Sequence, residues 1–170
     1  MRLFTAVFPD AAVTAAVAAV VAAAVDPATW RAVAPQRRHV TLCFHGDADP
    51  DTLASALRAR ATGLPAPRLR CAGAGIFGEA LWLGVTADPP DPLTALVVAA
   101  GGDPANHAGH LTVARRRRGA PRRRPVPAAM AAHVGPGWTP GEVVLVASGN
   151  PYVLVERVAL TTGAVGVGDA

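Results

Sequence analysis

The sequence predicts an α+β sheet protein made of two similar lobes. Strand-like segments alternate with helical segments along the chain, and two strands follow one another near the C-terminal end. A four-residue pattern of histidine, aliphatic residue, threonine and aliphatic residue also occurs twice, at His39 and at His110, in opposite halves of the chain. Because no linker separates the two halves, we expect one domain over residues 1–170.

The first half of the chain begins with a strand and a helix. In residues 11–25 valines recur at helical spacing among alanines, and Asp10 before them is a typical N-cap. This apolar stretch is shorter than the ~20 residues that a membrane span needs, so we expect a soluble, cytoplasmic protein. The elements predicted in this half are strands at 2–8 and 39–44, helices at 11–25 and 51–61, and a loop at 30–37.

The second half of the chain contains more strands than the first. Short runs of β-favouring residues are separated by glycine-rich or polar segments, which is typical of strands joined by turns. The elements predicted here are strands at 68–72, 81–86, 110–115, 142–148 and 152–160, a glycine-rich turn at 73–79, short helices at 92–100 and 126–134, a loop at 101–109, and a frayed tail at 161–170.

The composition excludes a disordered chain and indicates a basic protein. Hydrophobic residues make up 51% of the sequence and charged residues 16%, and the net charge is +4. A positive surface favours a polyanionic or phosphorylated partner. All 16 basic residues are arginines, which is typical of a codon bias, so their number does not by itself identify a function. The two cysteines, Cys43 and Cys71, show no paired spacing, so we expect free thiols in a reducing compartment.

The repeated pattern places chemistry on one face of each strand. Alternate residues of a strand point to the same side, so His39 shares a face with Thr41, and His110 shares a face with Thr112. The aliphatic residues between them face the core. Arg115 follows His110 at an odd spacing, so it reaches the same site only if the strand ends or bulges near Ala114.

Two imidazoles on facing strands suit displacement at phosphorus. The attacking and leaving oxygens lie roughly in line, so a base is needed on one side and an acid on the other. An imidazole with a pKa near ~6.5 performs either role. The hydroxyls of Thr41 and Thr112 are able to donate hydrogen bonds to the phosphate oxygens, and Arg115 is the right type of side chain to bind them. The pattern does not assign base and acid, because the two motifs are nearly symmetric.

At these residues the chain resembles the 2H phosphoesterase superfamily, and within it the LigT-like RNA 2′,3′-cyclic phosphodiesterases, also called 2′-5′ RNA ligases. The resemblance extends over nearly the whole sequence. The segments that carry it are RLFTAVFP from Arg2, HVTLCFHGD from His39, LWLGV from Leu81, HLTVAR from His110 and EVVLVAS from Glu142.

The resemblance implies a bilobal fold in which two pseudo-symmetric lobes of antiparallel sheet, with outer helices, enclose a central cleft. It implies hydrolysis of an RNA-terminal 2′,3′-cyclic phosphate to a 2′-phosphate, with no metal or other cofactor, and ligation of 2′-5′ ends in some members. His39 and His110 are then the expected catalytic residues, and Thr41, Thr112 and Arg115 are expected to bind the substrate phosphate. The expected partners are RNA 3′ ends or nucleotides with a 2′,3′-cyclic phosphate; we expect a monomer and no membrane.

Several residues leave alternatives open. His45 and His107 would form a metal site with the motif histidines, but no carboxylate or thiol pattern accompanies them, so we expect no metal. The seven arginines in residues 115–124 either follow RNA phosphates beside the site or form a solvated loop. Phe44 and Trp82 either stack on a base or pack in the core, and we expect core packing.

Two other functions remain compatible with the sequence. The same site is suited to a small cyclic phosphodiester such as ADP-ribose cyclic phosphate. A non-catalytic RNA-binding module, anchored by the arginine-rich segment, is the alternative outside the enzymes, and it predicts binding with steep salt dependence and no product.

Overall fold

A computed structural model describes residues 1–163 of the chain. Within them lie nine strands, four α-helices and one 3₁₀ turn. In chain order these are β1 (Arg2–Val7), α1 (Ala11–Ala24), β2 (Trp30–Ala32), the 3₁₀ turn (Pro35–Arg37), β3 (Val40–Asp47), α2 (Pro50–Ala61), β4 (Leu69–Phe77), β5 (Ala80–Ala87), α3 (Asp91–Ala99), β6 (His110–Arg116), α4 (Ala128–Ala131), β7 (Val134–Trp138), β8 (Glu142–Ala147) and β9 (Val153–Ala159).

The strands form one antiparallel sheet in two halves. Its order is β7-β4-β5-β6-β3-β1-β8-β9, and β2 adds to β6 outside this path. The halves meet where β3 pairs with β6, through the single residue pair Val40 and Leu111. Each half therefore contributes one motif strand to the seam. The predicted α+β fold with two lobes of antiparallel sheet is confirmed.

The helices cover one face of the sheet. In α1 the valines Val13, Val17 and Val21 are buried, as their spacing predicts, and the Asp10 carboxylate accepts a hydrogen bond from the Val13 amide at 2.9 Å as N-cap. Helices α1 and α4 pack against β7 and β4, whereas α2 packs against β8 and β9. The aliphatic residues of β3 and β6 belong to this same core, so the alternate residues of both strands face the other side of the sheet.

The turn predicted at 73–79 from its glycines is wrong, because β4 continues to Phe77. Gly73 has a φ of +72°, and it lies where the pairing with β5 shifts register, so this glycine belongs to a bulge. A Cβ on Gly75 would lie 2.2 Å from the Trp82 ring, so this glycine makes room for the indole. The turn itself is limited to Gly78 and Glu79.

Two further predictions of secondary structure are wrong in part. The helix predicted at 126–134 is limited to α4, and a strand, β7, begins at Val134. This strand has the sequence VGPGW, which sequence patterns assign to a loop, and it is tolerated because β7 is an edge strand where proline need not donate a ladder hydrogen bond. The loop predicted at 30–37 contains β2 and the 3₁₀ turn.

Thr161, where the predicted frayed tail begins, is bonded to the rest of the fold. Its amide donates to the Leu64 carbonyl at 3.0 Å, and it forms a bridge with Pro65. The rest of the predicted tail, 164–170, lies outside the described residues. None of the helices in the described part is long and apolar enough to cross a membrane.

Leu111 provides a test of the core beneath the seam, because its side chain is fully buried and its backbone pairs with Val40. Leu111→Ala is expected to lower the free energy of unfolding by about 2–5 kcal/mol, measured by denaturant titration. Val98→Ala, on the exposed face of α3, is the control and is expected to change it by about 0.5 kcal/mol or less. Similar effects of both substitutions would contradict this description of the core.

Candidate active site

A cavity of about 660 Å³ lies at the seam, on the face of the sheet away from the helices. All five residues that the sequence singled out line it: His39, Thr41, His110, Thr112 and Arg115. The two halves of the chain therefore share one cleft, with one motif on each side.

The pairing of Val40 with Leu111 sets the relation between the motifs. His39 and Thr41 flank Val40 in sequence, and His110 and Thr112 flank Leu111, so this one pair brings both motifs to the same place in the sheet. Both imidazoles therefore line the same cavity.

A bulge brings Arg115 into the cleft. Where β6 pairs with β5, the register shifts by one residue at Val113, so Val113 and Ala114 are both buried. The alternation starts again after them, and Arg115 shares the face of His110 and Thr112. The condition that the sequence sets for this arginine, a bulge near Ala114, is therefore met.

A matching bulge in β3 places Phe44 in the cleft. The pairing with β1 shifts by one residue at Leu42, and Phe44 lines the cavity beyond His39 and Thr41. Phe44 thus holds the position in its lobe that Arg115 holds in the other. Because 75% of its surface is exposed, the expectation that it packs in the core is wrong.

A second exposed aromatic ring lies on the opposite side of the cleft. Phe77, which is 50% exposed, packs on Trp82 with ring centroids 4.7 Å apart and meets His110 edge-on at 5.4 Å. Trp82 does not line the cavity; its ring packs beside Phe77 and lies 6.1 Å from the His110 ring. The cleft is therefore flanked by two phenyl rings that are able to stack on a base.

Both motif histidines are held in the same tautomer. The Nδ1–H of His39 donates to the carbonyl of Arg37 at 2.8 Å, and the Nδ1–H of His110 donates to the carbonyl of Ala108 at 2.8 Å. A carbonyl oxygen only accepts, so in the neutral rings the proton resides on Nδ1. This leaves each Nε2 with a lone pair and no protein partner among residues 1–163, so each is free to exchange a proton with substrate.

Aromatic rings surround His39 on several sides. Its imidazole stacks on Phe4 with centroids 4.6 Å apart, and it meets Phe8 at 5.6 Å and the edge of Tyr152 at 5.7 Å. These contacts fix the plane of the ring. They also remove much of the water that would stabilise the imidazolium.

Burial lowers the pKa of His39 to about 4, the largest effect on this group. The hydrogen bond to the Arg37 carbonyl acts in the opposite direction, while the charges of His110, Arg37 and Arg115 lower the pKa further. At neutral pH His39 is therefore neutral when no anion is bound. An anionic phosphate between the rings would favour the imidazolium instead.

Five further polar residues line the cleft that sequence patterns did not indicate: Arg31, Arg37, Ser148, Asn150 and Tyr152. Arg37 lies over the Tyr152 ring, 4.1 Å from its centroid, and its Nη1 donates to the Gly149 carbonyl at 2.9 Å. Arg31, on β2, also lines the cavity. Arg37 lies in the 3₁₀ turn before β3, where the alternation of a strand does not apply. No pattern in the sequence therefore indicated Arg37, Tyr152 or Arg31.

The other two histidines near the motifs have structural partners. The Nε2–H of His107 donates to the Thr41 carbonyl at 2.9 Å, which ties the loop before β6 to the first motif. His45 bonds to the Thr5 hydroxyl at 2.8 Å, with its Nδ1 3.7 Å from the Cys43 thiol. Neither lines the cavity. The described part of the chain contains no group of three or more histidine, cysteine or acidic side chains arranged to hold a metal ion.

Comparisons with known proteins agree with this geometry. The model of the LigT-like phosphoesterase family matches residues 7–85, which include the first motif. Among solved structures, the protein TT0787 of Thermus thermophilus is 28% identical, covers 96% of this chain and 100% of its own, and superposes with a TM-score of 0.70. The apo form of E. coli LigT is 25% identical over 95% of this chain and 98% of its own, with a TM-score of 0.69. The search of curated protein sequences gave no match.

The lowered pKa of His39 predicts a pH dependence of stability. The unfolded imidazole titrates near 6.5 and the folded one near 4, so the unfolded state binds more protons between these values. The free energy of unfolding should therefore fall as the pH decreases from 6.5 to 4, and His39→Asn should reduce this fall. Chemical denaturation at several pH values measures it, and NMR titration of the ring gives the pKa directly. A ring that titrates near 6.5 in the folded protein would contradict the prediction.

Proposed function

We propose that this chain is a LigT-like phosphodiesterase of the 2H phosphoesterase superfamily, and that it hydrolyses the 2′,3′-cyclic phosphate at an RNA end to a 2′-phosphomonoester. One observation carries the proposal. Two imidazoles from separate lobes line one cavity, each with a free Nε2 and a threonine hydroxyl nearby.

The proposed reaction needs one proton taken and one given. One imidazole removes a proton from a water molecule, whose oxygen attacks the cyclic phosphorus. As the new P–O bond forms, the bond from phosphorus to the ribose 3′ oxygen breaks. The other histidine, as imidazolium, protonates that oxygen through Nε2. The products are a 3′ hydroxyl and a 2′-phosphate. His39 and His110 supply these two groups.

Three side chains are suited to stabilise the charge on the phosphate. The hydroxyls of Thr41 and Thr112 have no protein partner within the described residues, so they are free to donate to non-bridging oxygens. Arg115 is exposed in the cleft and supplies paired N–H donors. Such preoriented donors favour the transition state because they need not reorganise as charge develops.

The walls of the cleft support a nucleotide as the substrate. Phe44 and Phe77 are exposed on opposite sides of it, and an exposed phenyl ring is a general platform for a nucleobase. Arg31 and Arg37 add positive charge beside them. A small cyclic phosphodiester without a base would leave both phenyl rings without a partner.

His39→Ala and His110→Ala are each expected to lower kcat for a 2′,3′-cyclic nucleotide by about 10²-fold or more, because each removes one proton transfer. Hydrolysis is followed by separating the 2′- and 3′-monophosphates, and the 2′ isomer is the expected product. His45→Asn, which changes a histidine outside the cavity, is the control and should retain activity. Full activity in either motif variant with an intact fold would refute the mechanism. Tight, salt-sensitive RNA binding without any product would support a binding module instead.

Chelation tests the expectation that no metal takes part. Incubation with EDTA should leave the rate of hydrolysis unchanged, since the proposed proton transfers and phosphate contacts come from side chains alone. Loss of activity that returns on adding a divalent cation would contradict the proposal and favour a metal-dependent hydrolase.

A further inference from the structure

A second cavity, of about 590 Å³, lies beside the candidate active site. Arg31 lines both cavities, so the two share a wall. The other residues that line the second cavity are Glu79, Arg116, Arg117 and Arg118. Four positive charges therefore face one negative charge, and a cavity of this kind attracts an anion.

Two of the arginines that line the second cavity are held in place by hydrogen bonds to other residues. Arg116 donates to the Glu79 carboxylate at 2.6 Å and to the Ala120 carbonyl at 2.7 Å, and Glu79 is neutralised by this pair. Arg117 donates through Nε to the Pro27 carbonyl at 2.7 Å. Arg118 is exposed and has no hydrogen-bond partner within residues 1–163. The cavity thus combines anchored arginines with a free one.

Arg31 and Arg115 form a like-charged pair across two strands. They stand directly opposite one another in the ladder between β2 and β6. Like charges in this position repel, and neither has an ion-pair partner among the described residues. Bound phosphate groups would remove this repulsion, because each guanidinium would then face an anion. The pair lies where the two cavities meet, so the expected anions are neighbouring groups of one substrate.

On the basis of the proposed function, we propose that the second cavity binds the phosphodiester on the 5′ side of the terminal nucleotide. The substrate is then an RNA strand and not a mononucleotide. A cyclic phosphate occupies the 3′ end, so the chain extends only toward its 5′ end. The next phosphate is carried by the 5′ oxygen of the same ribose. With the cyclic phosphate between the histidines and the 5′ phosphate in the second cavity, Arg31 lies on the wall that the two cavities share.

The test compares kcat/KM for two substrates, adenosine 2′,3′-cyclic phosphate and the adenylyl dinucleotide that ends in the same cyclic phosphate. The dinucleotide should be preferred by about tenfold or more, as expected for charge-assisted contacts to one added phosphate. A dinucleotide with an uncharged methylphosphonate linkage has the same bases and sugars, and it should lose this preference.

Substitutions locate the effect in the protein. Arg118→Gln and Arg31→Gln should each reduce the ratio of dinucleotide to mononucleotide kcat/KM, and should lower the slope of its salt dependence. Arg60→Gln removes the same charge from α2, which lines neither cavity, so its ratio should equal that of the unaltered protein. This control separates a local contact from the general field of a basic protein.

The outcomes separate this inference from the proposed function. Equal kcat/KM values for both substrates, or a preference that survives the neutral linkage or both arginine substitutions, would overturn the second phosphate site while leaving the hydrolase in place. Faster turnover of ADP-ribose cyclic phosphate than of the dinucleotide would overturn RNA as the source of the second phosphate. Absence of hydrolysis of every substrate would overturn the proposed function and this inference with it.

Discussion

The seam between the two half-sheets determines where the two motif histidines lie. Within residues 1–163, backbone pairing between β3 and β6 is limited to Val40 and Leu111, and each of these residues directly follows a motif histidine. Both are fully buried in the core beneath the sheet, so the histidines before them must face the cleft. The His107 side chain reinforces the seam through the carbonyl of Thr41. Packing on one face of the sheet therefore fixes the positions of the motif histidines on the other face.

The two lobes share a backbone arrangement but carry different side chains at one pair of equivalent positions. Each motif strand has a bulge that returns to the cleft the sixth residue counted from the motif histidine, which is Phe44 in one lobe and Arg115 in the other. The cleft therefore has an aromatic position and a basic position related by the same local symmetry. A base and a phosphate are the two kinds of group that a nucleotide presents. This difference between the lobes suits a substrate that binds in one orientation, whereas the histidines and threonines alone would allow two.

The sequence predicted those features that depend on local periodicity. The valine spacing in α1 and the alternation around His39 and His110 were sufficient, because a buried face requires the same period along the whole element. Features that depend on a break in this period could not be predicted from the sequence. The bulge that exposes Phe44 has no marker residue in the sequence, and β7 resembles a loop because glycine and proline are tolerated at a sheet edge.

The remaining site residues come from segments that only the fold brings together. Tyr152 reaches His39 from the last hairpin, and Arg31 reaches the cleft from a three-residue strand that pairs with β6. Neither residue lies in a recognisable motif. Sequence patterns identified the groups proposed to act on the phosphate, but not those that shape their surroundings. The low pKa of His39 likewise depends on these surroundings, because its largest cause is burial.

In the proposed mechanism both imidazoles act on a single phosphorus atom. A crystal structure of the protein with inorganic phosphate tests it most directly. The account predicts one phosphate ion between the two rings, within hydrogen-bond distance of Nε2 of His39 and Nε2 of His110. An ion bound to only one ring, or rings that face separate pockets, would contradict it.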